Sequence, residues 1–220
     1  MNTPTSDTVL KLVQEKLYTA VVGDVLDTLG RAQQFLPPAL SPLIPTATIA
    51  GRAMPVAVSD VYGPQTKPFG LLTEALDQLE KNEIYISSSI TQPVAQWGEI
   101  LTATAQQRGA VGAVVNGYYR DTRQILERKF PVWGLGSYGA DASIRSAVRD
   151  FRVPIVIGAV TIHPGDLIVA DIDGVVVIPQ DVEDDVIRIA LEKVSAENTV
   201  CQEIDKGSSA TAAFERHGVL

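Results

Sequence analysis

Gly98-Glu99-Ile100-Leu101-Thr102-Ala103-Thr104-Ala105-Gln106-Gln107-Arg108-Gly109-Ala110-Val111-Gly112-Ala113-Val114-Val115-Asn116-Gly117-Tyr118-Tyr119-Arg120-Asp121 is the stretch that decides the fold. Glu99 to Arg108 reads as a helix with mostly small or neutral side chains, and Gly109 stands where a helix is stopped by a left-handed residue. Val111 to Val115 then reads as a buried strand, because it is apolar throughout rather than alternating. Helix, stop and buried strand make one αβ crossover. Its product is the turn Asn116 to Asp121, which carries two adjacent opposite charges.

A first crossover precedes it. Ala53 to Val58 and Ile84 to Ser88 are strand-like, and Leu71, Leu72, Ala75, Leu76 and Leu79 between them have helical spacing. Further upstream, Ser6 to Leu17 and Ala20 to Leu29 read as helices, the second stopped by Gly30, and Pro37, Pro38, Pro42 and Pro45 force a loop. The distal half predicts strands at Val153 to Val160, Leu167 to Ala170 and Val175 to Ile178. His163-Pro164-Gly165-Asp166 and Asp171-Ile172-Asp173-Gly174 join them as turns. A long helix from about 182 to 206 closes the chain, with Asp181 as N-cap, Glu183, Asp184 and Asp185 on its first turn, and Gly207 as its end. These signals predict one α/β domain over residues 1–220.

Composition narrows the function. Forty-five per cent of the 220 residues are hydrophobic, enough for one sizeable core. Acidic residues outnumber basic ones 26 to 18 and no basic run occurs, which argues against nucleic acid as a ligand. No apolar run approaches the roughly 18 residues needed to span a bilayer, and Met1 to Leu17 has no continuous apolar segment of the secretory kind. A soluble, cytoplasmic protein is expected. Cys201 is the only cysteine, so any metal would be bound by oxygen.

The candidate chemistry lies in Glu99, Arg120 and Asp121. Taken singly, each has an ordinary explanation. Glu99 in a first helical turn favours the helix dipole by about 0.3–1 kcal/mol, and Arg120-Asp121 could be a surface ion pair contributing roughly 0–1 kcal/mol. Brought together past the end of a buried strand, where open α/β sheets place ligands, they could hold a divalent metal and a charged oxygen. Gly98 leaves the first N–H groups of the helix, including those of Ile100 and Leu101, open to a carboxylate. Trp97, Tyr118 and Tyr119 are candidate pocket walls.

A second signal lies on the last helix. Val186, Ile189, Ala190, Val194, Val200, Cys201 and Ile204 form an apolar stripe, and Glu197 falls on it. A carboxylate on a face meant for burial is costly unless paired; otherwise the stripe frays into solvent at that end. Other features carry less. Gly134 to Gly139 fits G-x-G-x-x-G, but Pro131 precedes it and no acidic strand end follows about twenty positions on. His163 and His217 have no partner at metal-ligand or triad spacing.

Gly98-Glu99, then Gly112-Ala113-Val114-Val115-Asn116-Gly117 leading to Arg120-Asp121, resembles the signature of the RraA-like family. That family includes 4-hydroxy-4-methyl-2-oxoglutarate/4-carboxy-4-hydroxy-2-oxoadipate aldolases, oxaloacetate decarboxylases and regulators that inhibit ribonuclease E. Gly23-Asp24-Val25-Leu26-Asp27, Thr73-Glu74-Ala75-Leu76-Asp77, Pro164-Gly165-Asp166 and Asp171 to Pro179 extend the likeness over most of the chain. The resemblance implies layered sheets with flanking helices, like the swivelling phosphohistidine-domain fold, assembled as a trimer or hexamer with its site at a subunit interface. It implies a metal-dependent lyase acting on a 2-oxo acid through a pyruvate enolate; the alternative is a regulator that binds an RNA-processing enzyme. By the same resemblance Asp121 would ligate Mg²⁺ or Mn²⁺ directly and Arg120 would hold the keto oxygen. Gly98, Ile100 and Leu101 would line the carboxylate site. Glu99 would act through a metal-bound water, as would Glu197, reaching in from a neighbouring subunit. Asn116 and Gln124 depart from positions where the family often carries acids, which bears on the aldolase subgroup.

Overall fold

The computed structural model describes residues 6–88 and 90–218; both ends of the expected 1–220 domain, Met1 to Thr5 included, and Ser89 lie outside the described residues. Helices α1 (Asp7–Lys16) and α2 (Thr19–Thr28) come first, α1 capped by Ser6 and α2 followed by the left-handed Gly30. Strands β1 (Ser41–Pro42) and β2 (Ile49–Asp60) lead into α3 (Leu72–Asp77), β3 (Glu83–Ser87) and β4 (Ala95–Trp97). Next come α4 (Glu99–Arg108), β5 (Gly112–Val115), β6 (Tyr118–Tyr119), α5 (Thr122–Arg128) and β7 (Val132–Gly134). The distal half supplies β8 (Ser146–Phe151), β9 (Ile155–Ile157), β10 (Val160–Ile162), β11 (Leu167–Asp171), β12 (Gly174–Ile178), α6 (Glu183–Asp205) and α7 (Ala210–His217).

The main sheet runs β1-β7-β5-β3-β2-β11-β12, with β8 also pairing β2. Strands β2, β3, β5 and β7 are mutually parallel, and the flanking pairings are antiparallel. The length of β2 lets it serve both ends: Ile49 to Arg52 pair with β11, and Val56 to Asp60 pair with β8. Pro55 falls between these two pairings on that edge of β2, and on the other edge it stands in register with Ile86 of β3.

Both faces of the parallel strands are buried, which explains their unbroken apolar runs. Ile84, Ile86, Val114 and Trp133 pack on one face with the β9–β10 hairpin, whereas Tyr85, Ala113, Val115 and Val132 meet Ala75, Leu76, Ala105 and Ile125 of α3, α4 and α5 on the other. At the antiparallel end, Leu167, Val169, Val176 and Ile178 pack under α1, α2 and α6. No described helix is long and apolar enough to cross a membrane.

Several expectations change. Val153 to Val160 is not one strand: the chain reverses at Gly158, which has φ +62°, so that β9 and β10 form a hairpin. Asp181 does not cap α6; that position is Val182, and Asp181 instead pairs with Arg31. Glu183 is buried in a two-pronged pair with Arg52, at 2.5 and 2.7 Å. The α6 stripe frays, for Cys201 and Ile204 are exposed. Asp171, expected only as a turn residue, accepts from the N–H (2.8 Å) and hydroxyl (2.7 Å) of Thr19 and so caps α2, whose own N-cap Tyr18 supplies no side-chain bond. No helix follows the G-x-G-x-x-G segment.

Candidate active site

The site is built by lashing two segments side by side. Strands β4 and β6 pair in parallel, and the Arg120 N–H donates to the Trp97 carbonyl at 3.0 Å. This sets the start of α4 against Arg120-Asp121. The N–H of Glu99 donates to Oδ2 of Asp121 at 3.1 Å, while Oδ1 of Asp121 takes no hydrogen bond from the described residues. Asp121 is left-handed (φ 54°, ψ 36°), a conformation that a short polar side chain tolerates better than most.

Gly98 leaves room here for the Asp121 carboxylate. A Cβ at Gly98 would lie 2.8 Å from Asp121 Oδ2 and 3.5 Å from Arg120 Cγ, although its φ of −166° is open to any residue. As the second and third residues of α4, Ile100 and Leu101 have N–H groups without an intrahelical acceptor. Ile100 is 77% exposed, at the cleft mouth.

Arg120 is held from two sides. Its Nη1 lies 2.9 Å from Oδ1 of Asp141 and its Nε 3.9 Å from Oδ2 of Asp121, whereas Nη2 has no hydrogen bond to any described residue. Asp141 is in turn anchored by the N–H of Ser143 (3.1 Å) and by its hydroxyl. Burial raises the Asp141 pKa, but the Ser143 hydrogen bonds and the Arg120 charge outweigh it and hold the carboxyl below its usual range. Arg128 Nη2 stands 3.8 Å from Glu99 Oε1.

Gly98, Glu99, Ile100, Arg120, Asp121 and Asp141 line one cleft of about 210 Å³ together with Phe69, Leu72, Leu76, Trp97 and Leu101. Trp97 is fixed as a wall: its ring stacks on Phe130 and its Nε1 donates to Thr102 Oγ1 at 2.9 Å. Tyr118 and Tyr119 are not among the lining residues. Tyr118 packs instead against Tyr138, and Tyr119 belongs to the core behind the site. Glu197 also lies elsewhere in its own chain, accepting from the Tyr18 hydroxyl and 3.7 Å from Lys193 Nζ.

The donor set suits a hard divalent cation. Among the described residues no three His, Cys, Asp or Glu side chains gather closely enough to enclose an ion. Asp121, with one oxygen uncommitted, could serve as a single carboxylate ligand to Mg²⁺ or Mn²⁺, which commonly keep several waters and take one or two carboxylates. Glu99, Asp121 and Asp141 also outweigh Arg120 in charge, so a cation would offset repulsion of an anionic ligand.

Sequence reasoning placed Glu99, Arg120, Asp121, Gly98, Ile100 and Leu101, and the structure brings all six to this cleft. It missed Asp141. Asp141-Ala142-Ser143 has the composition of an Asx turn, but nothing local ties it to Arg120.

A mixed sheet flanked by helices, with a charged cleft past the end of a central parallel strand, is the arrangement in which α/β proteins place their ligand sites. The chain belongs to the RraA-like family (Aldolase/RraA), which it matches over residues 19–177, and it has that family's fold. It is 30% identical over 216 residues to Protein DlpA of Legionella pneumophila, a match covering 96% of this chain and 34% of DlpA. It is 41% identical over 96 residues to "Putative 4-hydroxy-4-methyl-2-oxoglutarate aldolase" of Halalkalibacterium halodurans, covering 44% of this chain and 45% of that one. The chain thus matches about a third to a half of the length of these two relatives. A crystal structure of a Pseudomonas syringae protein superposes with a TM-score of 0.83 at 29% identity, covering 96% of this chain and 99% of that one.

Proposed function

We propose that the protein is a divalent-metal-dependent lyase that breaks a C–C bond of a 2-oxo acid through a pyruvate enolate, by aldol cleavage, oxaloacetate decarboxylation or both. The observation that carries this reading is the fixed guanidinium: Arg120 is held by Asp141 and Asp121, with Nη2 left for a ligand oxygen. Mg²⁺ or Mn²⁺ held by Asp121 would supply a Lewis acid beside the oxygen on which charge develops.

The remaining steps belong to this chain. The N–H groups of Ile100 and Leu101 take the substrate carboxylate at the positive end of α4. Arg120 Nη2 donates to the C2 oxygen, and a donor that meets the enolate more strongly than the ketone lowers the barrier. Glu99, at the cleft rim beside Asp121, moves the proton through a water. Glu197 of a neighbouring copy would complete the site in a trimer or hexamer. The relative that carries an aldolase name supports a lyase.

The test is oxaloacetate turnover with Mg²⁺, with EDTA, and in Arg120→Ala. Loss of turnover in both of the latter is expected. Turnover indifferent to both would end the proposal.

A further inference from the structure

Behind the α3 wall of the cleft lies a second chamber of about 20 Å³, and Phe69, Leu72, Gln96 and Ala142 line both spaces. A buried water needs about 10–15 Å³ of room for its centre and two to four polar partners, so this chamber takes one water and little else. Two residues that line the chamber but not the cleft carry hydroxyls. Tyr85 of β3 is 1% exposed and Ser146, at the start of β8, is 4% exposed. Neither hydroxyl has a hydrogen-bond partner among the described residues. The main chain beside them is already committed, for the Ser146 N–H donates to the Ala142 carbonyl at 2.8 Å and the Val148 N–H to the Phe69 carbonyl at 3.0 Å. Burial is the sole cause that raises the Tyr85 pKa. Gln96, also buried, has its Oε1 bonded to Ser87 Oγ at 2.6 Å and its Nε2 without an acceptor. Interior polar groups left unpaired are costly, and a single oxygen placed between the two hydroxyls relieves both.

We infer that the chamber is a binding site for one water, whose oxygen the Tyr85 and Ser146 hydroxyls share, and that Phe69 is the partition between this water and the cleft. A hydroxyl can donate or accept, so two of them suit a water in either orientation. Phe69 has φ +65°, a left-handed backbone that a bulky residue rarely adopts. Its carbonyl is pinned by Val148, and the strain falls at the residue whose ring borders both spaces. The apolar wall of the cleft thus has a wet back. Every group in this arrangement belongs to one chain, and none of it depends on the reaction performed in the cleft.

A crystal structure of the protein should show one ordered water within about 2.5–3.0 Å of both hydroxyls; no density there overturns the inference. Melting temperatures give a second readout, whose sign separates a wet chamber from a dry one. Tyr85→Phe keeps the ring that meets Trp97 at 5.0 Å and deletes only the hydroxyl. It and Ser146→Ala should each lower the melting temperature by about 2–4 °C, since each gives up a bond to the water. A dry chamber gives an unchanged or raised value, because each change then removes a group that had no partner, and that result overturns the inference. The double variant should melt no lower than the less stable single variant, because both hydroxyls serve one water; losses that add up overturn the sharing. Phe69→Gly suits φ +65° and should join the chamber to the cleft. In that background Tyr85→Phe should cost less than half of its effect in the parent, as solvent from the cleft then meets both forms. A loss of half or more overturns the role of Phe69 as partition.

Discussion

The backbone N–H of Glu99 and the Oδ2 of Asp121 lie 3.1 Å apart, so the first turn of α4 and the residue ahead of α5 share one hydrogen bond. Either oxygen type can accept that bond. Asp121→Asn should keep the fold and the Glu99 contact while losing the negative charge that would hold a metal. Calorimetric titration with Mn²⁺ should show affinity reduced about tenfold or more, at an unchanged melting temperature. Asp121→Ala should additionally lose about 1 kcal/mol of stability with the bond itself.

Gly98→Ala tests space rather than backbone freedom. The added methyl would meet Asp121 Oδ2 at 2.8 Å in a conformation that alanine adopts freely. Either the carboxylate or α4 must shift. Under the proposed function, where displacements near 1 Å at a reacting centre reduce rates about 100-fold, kcat should fall by that order while circular dichroism stays that of the parent.

Asp141→Asn should free Arg120. The amide can still accept from the Ser143 N–H, but the charge that faces Arg120 Nη1 is gone. Under the proposed function kcat/KM should fall about 10- to 100-fold, and the Arg120 Nε–H signal in NMR should broaden or exchange faster. The sign of the pH dependence follows from the lowered pKa of Asp141. Its contribution is present above the ordinary aspartate range, about pH 3.9, and is lost as pH falls through the lower folded value. The clamp should thus persist at mildly acidic pH and open only below about pH 4.

Asp171→Ala removes the cap of α2 from across the molecule. The Thr19 N–H and hydroxyl both lose their buried acceptor. Unfolding stability should drop by about 2 kcal/mol or more, read by urea titration, with turnover per folded molecule preserved because the site lies on other elements.

Tyr18 reports on Glu197. Burial, followed by the hydrogen bond and charge of Glu197, pushes the Tyr18 pKa to about 12. The unfolded phenol ionises near 10, so its contribution to stability is complete below about pH 10 and declines as pH rises toward 12. Glu197→Ala should lower the phenolate absorbance transition from about 12 by the part that Glu197 supplies, burial keeping it above the ordinary phenol value; a transition that stays put would show that Glu197 does not hold Tyr18.

The central crossover was legible because each of its signals is local. Glu99 to Arg108, the Gly109 stop and the apolar strand need no distant partner to be read, and α4 has the expected bounds with Gly109 at φ +82°. Tertiary pairing defeated the other readings. Asp181 had the sequence context of a cap, but Arg31 claims it; β9 and β10 looked like one apolar run because only Gly158 marks the reversal. Asp141 was illegible for the same reason, since its partner Arg120 reaches it only after β4 and β6 pair. On α6 the periodic pattern continued past the point where anything packs on it, leaving Cys201 and Ile204 in solvent.

Glu99, Arg120 and Asp121 all lie within the single passage from α4 to the start of α5, whereas Phe69, Leu72, Thr73 and Leu76 come from a separate stretch around α3. Two walls of the cleft are thus written on different lengths of the gene. Mutational drift around α3 can reshape the apolar wall while the passage that carries Glu99, Arg120 and Asp121 is inherited intact, and a laboratory library confined to Phe69, Leu72, Thr73 and Leu76 would sample that same freedom.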